Sequence, residues 1–193
     1  MKRLLMICVL VALGASTSFA QDHQTFKGVP IDGKTNTFIN RLKLKGFQTV
    51  GNTDTLIGTF AGYNNCEVTL LSSTQTNNVY GVKVKIPMCQ DQNLMIYTEF
   101  KKLQAVLTEK YGQPVKEEVH SYENDFIKAL YKLITSAEYS DSYPFSSTFD
   151  TGCGSVELNV AWIASDCGGG FIIMTYIDNA NNISRLKSIY DDL

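Results

Sequence analysis

Apolar positions recur along the chain with two periods, and each change of period marks a change of element. Between Thr35 and Lys45, Phe38, Ile39 and Leu42 fall on one helical face, Arg41, Lys43 and Lys45 lie toward the C-terminal end, and Gly46 is placed to stop it. Three strand-like runs follow: "TLIGTFA" at 55–61, "CEVTLLS" at 66–72 and "VYGVKVKIP" at 79–87, separated by turn-rich "GYNN" and "STQTNN". In the third run Val82, Val84 and Ile86 alternate with Lys83 and Lys85, the period of a strand with one buried and one wet face. The period then lengthens. Ile96, Phe100, Leu103, Leu107 and Tyr111 predict a helix over 93–111, ended by Gly112 and Pro114. Tyr122, Phe126, Leu130 and Leu133 predict a third helix directly after it. Strand patterns return in "PFSSTFD", "SVELNVAWIA" and "GFIIMTYID", and "NISRLKSIYDDL" closes the chain as a short amphipathic helix. Residues 21–30 read as a short lead-in.

This order predicts an α+β fold of two α-βββ units, with the helices packed on one face of an antiparallel sheet. "GTFAG" precedes "CEVTL" much as "STFDTG" precedes "SVELNV". Thr59-Phe60 and Thr148-Phe149 are 89 residues apart, and the third strands, starting at Val79 and Gly170, are 91 apart. Such near-constant offsets point to a degenerate internal duplication. The first unit, with the helix that follows it, is placed at 21–115, and the second, with the C-terminal helix, at 116–193.

Residues 1–20 stand outside both units. Lys2 and Arg3 form a basic start, Leu4 to Leu13 an apolar run, and Ser18-Phe19-Ala20 a small-x-small exit, the pattern of a signal peptide cleaved near Ala20. Cys8 is preceded by Ile7, where a lipidation signal wants a small residue. The expected destination is the periplasm or the exterior. Cleavage removes Lys2 and Arg3 and leaves 15 basic against 19 acidic side chains. With no basic run, nucleic acid is not an expected partner, and no later segment is long and apolar enough to span a bilayer.

Candidate chemistry is sparse. "FDTG" at 149–152 is the sequence that carries the catalytic carboxylate in aspartic proteases, which makes Asp150 the leading catalytic candidate. That chemistry needs two such carboxylates sharing a proton, and only one Asp-Thr-Gly occurs. The competing reading makes Asp150 and Gly152 a turn between strands, where the Asp side chain bonds its own backbone and the Gly takes positive φ. Beyond the leader the histidines are His23, in the lead-in, and His120, so a metal site or a Ser-His-Asp triad would fall to His120. "DNANN" at 178–182 lacks the ligand spacing of a calcium loop and reads as a strand-to-helix turn with an N-cap. The glycine-rich "CGGG" at 167–170 lies between strands, where no helix follows to bind a phosphate. No pattern calls for a cofactor.

Cys66, Cys89, Cys153 and Cys167 follow the leader. Cys153 and Cys167 bracket a strand roughly 30 Å long, too far apart to pair. The hairpin around Thr76 brings residue 66 opposite about residue 86, so a Cys66–Cys89 disulfide and a set of small buried thiols both fit. Tyr139 and Tyr143, in "AEYSDSYPF", are candidate contact residues because tyrosine gives large area at low entropy cost.

"FKGVPIDGKTNTFINRLKLKGF", "GTFAGYNNCEVTL", "LTEKYGQP" and "YIDNANN…DDL" resemble a family of small exported proteins from gut commensal bacteria. "DTL" at 54–56 is similar to the acceptor used for periplasmic O-glycosylation in such bacteria, which would place the sugar on Thr55. The tandem layout looks like the beta-lactamase-inhibitor-protein fold and related outer-membrane assembly lipoproteins. Taken together, the expected function is non-enzymatic: a binding protein of the cell envelope, acting on a protein or glycan through an open sheet face or the tyrosine-bearing loop. The alternatives are a carboxylate hydrolase using Asp150 and a small-ligand carrier.

Overall fold

A computed structural model describes residues 22–51, 53–88, 96–119, 145–163 and 169–191. The fold is α+β; the described residues form three helices, an eight-stranded antiparallel sheet and a separate two-stranded sheet. The small sheet pairs β1 (Thr25–Phe26) with β2 (Val29–Pro30). Helix α1 (Thr35–Lys43) follows. Next come β3 (Gln48–Thr49), β4 (Leu56–Phe60), β5 (Tyr63–Ser72) and β6 (Val79–Pro87), and then α2 (Ile96–Tyr111). The second half holds β7 (Lys116–Val119), β8 (Phe145–Asp150), β9 (Gly154–Ile163), β10 (Gly169–Asp178) and α3 (Asn179–Asp191).

The large sheet runs β3-β4-β5-β6-β10-β9-β8-β7. Each half contributes a meander of three long strands, and the third strands, β6 and β10, pair antiparallel at the centre. Period-2 patterning explains why the sheet is two-faced. One cross-strand row reads Leu56, Val68, Val84, Met174, Leu158, Ser147 and Glu117, buried except at Glu117 on the edge. The adjacent row, one residue along each strand, points the other way and reads Thr69, Lys83, Thr175, Glu157, Thr148 and Lys116.

The apolar rows carry the core. Phe38, Ile39 and Leu42 of α1 and Ile96, Phe100, Leu103 and Leu107 of α2 join the cluster built on that face. Helix α2 lies against β8, β9 and β10, and α3 lies against β6, with further contacts to β9 and β10. None of the described side chains of α3 is buried, and Ile183, Leu186, Ile189 and Tyr190 are exposed.

Three features depart from the sequence pattern. The lead-in is a hairpin, turned by Lys27 and Gly28 at positive φ, that buries Phe26, Val29 and Ile31. The β4–β5 turn is Ala61-Gly62, both at positive φ as in a type I′ turn, not the asparagines after it. Asn65, also at positive φ, sits where the β4–β5 register shifts, so the polar stretch is a bulge inside β5. Finally, Lys116–Val119 forms an edge strand where the chain was expected to move straight into a helix. The residues expected to form that helix, Tyr122 to Leu133, lie outside the described residues.

Candidate functional site

Opposite the core, the large sheet has a second face with polar and charged side chains. Its central strands present Lys83 and Lys85 on β6 and Phe171, Ile173, Thr175 and Ile177 on β10. Lys85 extends its ammonium 4.0 Å from the Phe171 ring centroid, a cation–π contact that spreads the charge along the surface. Glu67 faces Lys85 across β5, and Glu157 lies two strands from Lys83, with Thr175 between them. Glu157 and Lys83, two strands apart, are about 10 Å from each other, within the reach of one another's field, and Glu67 and Lys85 are direct cross-strand neighbours. Ile173 and Asn159, on the same face, are buried. Most of the row is half-buried.

Asp150 ends β8 on this same face and is exposed. Its Oδ1 accepts the Gly152 N–H at 2.8 Å, Gly152 has φ +82°, and Thr151 N–H donates to the Gly154 carbonyl at 3.1 Å. The carboxylate therefore closes its own turn. Across the ladder it faces Ser155.

The cysteine picture is corrected. Cys66 carries a free thiol, so the Cys66–Cys89 disulfide is not made. Cys66 is buried and its Sγ turns back along its own strand, donating to the Tyr63 carbonyl at 3.3 Å. Burial pushes that thiol above its ordinary range, which favours the neutral form. Cys153 is free and half-buried. Cys89, Cys167, His120, Tyr139 and Tyr143 lie outside the described residues. Thr55 is half-buried just before β4, its carbonyl accepting from Val50 N–H at 2.9 Å.

Two polar clusters tie α2 to the sheet. Tyr63 donates to Glu99 at 2.6 Å, and Lys102 donates to the other carboxylate oxygen at 2.6 Å. The Lys102 and Tyr63 hydrogen bonds hold the Glu99 carboxyl below its usual range, while burial and then Glu99 push the Tyr63 hydroxyl well above its own. In the second cluster Gln104 Nε2 donates to Ser147 Oγ at 2.7 Å and to Glu117 at 2.9 Å, while its Oε1 accepts from Lys101 at 2.9 Å. Both sets are filled by their own members and serve to position α2.

The structure brings together one group that the sequence left apart. Asp178 is wholly buried; its Oδ1 accepts from Asn181 N–H, and its Oδ2 accepts from Gln24 N–H, both at 2.8 Å. His23 Nδ1 lies 3.1 Å from the same Oδ2. "DNANN" announces the cap through the Asp-to-Asn181 spacing. Nothing local announces the histidine, which comes from 155 positions away.

Among the described residues no group of three or more His, Cys, Asp or Glu is placed to hold a metal ion, and no helix is long and apolar enough to cross a membrane. The comparisons add no relative to this geometry: no family model, curated protein or solved structure matches the chain.

Proposed function

We propose that this is an exported, non-enzymatic interaction protein of the cell envelope that binds a protein or glycan partner across the polar face of its large sheet. The observation that carries the reading is the division of labour in that sheet. One face is occupied by α1, α2 and the core, while the other presents six strands of aligned Thr, Lys and Glu side chains. A sheet face carrying side chains of both charges across several strands suits a macromolecular partner better than a small ligand, which prefers a concave apolar pocket. The mirrored strand order, with β6 and β10 meeting at the centre, supports the duplication reading, in which two α-βββ units share one binding face. A layout similar to the beta-lactamase-inhibitor-protein fold is part of the same proposal. The turn geometry of Asp150 lends no support to a hydrolase.

The test is site-specific photo-crosslinking in cells producing the protein. A crosslinker at Thr175, on the polar face, is expected to trap a discrete partner, and one at Asn36, exposed on α1, is not. Absence of an adduct at Thr175, or equal trapping from both positions, would sink the proposal.

A further inference from the structure

The charges of the polar face are sorted by strand. At its centre β10 places only uncharged residues on this face, Phe171, Ile173, Thr175 and Ile177. Lys83 and Lys85 lie on β6, to one side of it, and Glu157 lies on β9, to the other. Lys83, Thr175 and Glu157 share one cross-strand row, so the two charges stand one strand each from β10. Among the described residues neither Lys83 nor Glu157 forms an ion pair or a hydrogen bond through its side chain.

A surface that binds a copy of itself does so about a two-fold axis, so that when residue i meets j, j also meets i. Two sheets meeting face to face can share such an axis across their strands or along them. An axis across the strands lays β6 on β6 and sets lysine against lysine. An axis along β10 instead lays β6 of one copy on β9 of the other. Lys83 then meets Glu157 of the second copy, and the contact is made twice. Sheets stack about 10 Å apart, a gap that a lysine and a glutamate bridge by extending toward each other. Aligned sheets cross at about 30°, and a pair one strand from the axis is shifted little by that angle.

Residues on the axis meet their own copies, which a charged side chain could not do without repulsion. Thr175 and Ile177, on the axis, are uncharged and half-buried. In the adjoining rows Lys85 falls opposite Asn159, Glu67 opposite Ser146, and Asp150 opposite Leu71. No like charges are brought together.

We propose that the partner of this face is a second copy of the chain, joined sheet to sheet about an axis along β10 by two reciprocal Lys83–Glu157 ion pairs. This deepens the proposed function and rests on it, since it names the partner of the same face.

Sedimentation equilibrium of the purified protein and two charge reversals tests the pairing. The unaltered chain is expected to dimerise. Lys83→Glu sets carboxylate against carboxylate at both contacts, and Glu157→Lys sets ammonium against ammonium. Each variant alone is expected to raise the dissociation constant at least about a hundredfold, because one substitution acts at two symmetry-related contacts. Both positions lie outside the core cluster, so melting temperatures should not change. A one-to-one mixture of the variants restores opposite charges between chains while leaving like charges at the two positions within each chain. The mixture is therefore expected to form a dimer that neither variant forms alone. An unaltered chain that stays monomeric at its highest soluble concentration overturns the proposal. So does a dimer that survives both reversals, or a mixture that fails to associate. None of these results touches the broader reading, which stands or falls with the Thr175 crosslink in cells. An adduct of twice the chain's mass supports both readings, and one of any other mass keeps the binding face but overturns self-pairing.

Discussion

Gly58 and Ser147 occupy matching places in the two halves, each on the inward face two residues before a buried phenylalanine, yet they are packed by opposite means. Over Gly58 lies the ring of Phe47, so close that a Cβ there would sit 2.5 Å from a ring carbon. Over Ser147 lies Gln104 of α2, which fills the space with a hydrogen bond and ties it to Glu117 on the edge strand. One half seals its sheet by aromatic contact on bare backbone, and the other by a satisfied polar network. A meander fixes where an inward position falls, but not which chemistry closes it. Two halves with the same strand order can therefore be sealed by different side chains.

The contrast predicts unequal responses to substitution. Phe47→Ala should be the most damaging change, destabilising by about 3–5 kcal/mol through lost burial and a cavity over Gly58. Gly58→Ala attacks the same contact from below and should cost about 1–3 kcal/mol, because the ring has to shift. Ser147→Ala should cost only about 1 kcal/mol, since Gln104 keeps its bond to Glu117. Denaturant midpoints with unchanged slopes would check the series. A Ser147→Ala loss as large as that of Phe47→Ala would erase the distinction between the halves.

Alkali probes both halves. Cys66 and Tyr63 in the first half have ordinary values of 9.0 and 10.0, Tyr176 in the second has 10.0, and burial raises all three in the folded chain. Each therefore contributes stability that is fully present below its unfolded value and lost as pH rises above it toward the folded value. The Gln104–Ser147 pair does not titrate there. Melting temperature should begin to fall near pH 9, and Tyr63→Phe should flatten the decline above pH 10. An unchanged alkaline slope in that variant would contradict the assignment.

Where patterning is strong, the chain declares its structure. The third strand, read from Val82, Val84 and Ile86, begins and ends where the alternation does, and the apolar faces of α1 and α2 are those expected. The edges were less legible. "KEEV" carries the charges that keep an edge strand from pairing with other chains, and those charges hide its strand character. Asn64 and Asn65 suggested a turn because asparagine tolerates the left-handed region, but a bulge uses the same tolerance. The lead-in was hidden for another reason: Phe26 and His23 are isolated residues whose partners, Tyr176 and Asp178, lie about 150 positions away, and periodicity carries no information on such pairings. Of the candidate site, the Lys83 and Lys85 alternation told which side chains face away from the core. Only the β6–β10 pairing shows that they sit at the centre of a continuous face.

The proposed binding depends on the side chains of this face and not merely on its exposure. Its most direct test is the yield of the Thr175 photo-crosslink in the presence of Lys83→Glu, which reverses the charge beside Thr175 and touches nothing in the core. A roughly tenfold or greater loss of adduct with an unchanged melting temperature is predicted, the order of effect expected for a contact charge set against its partner. An undiminished adduct would contradict the account.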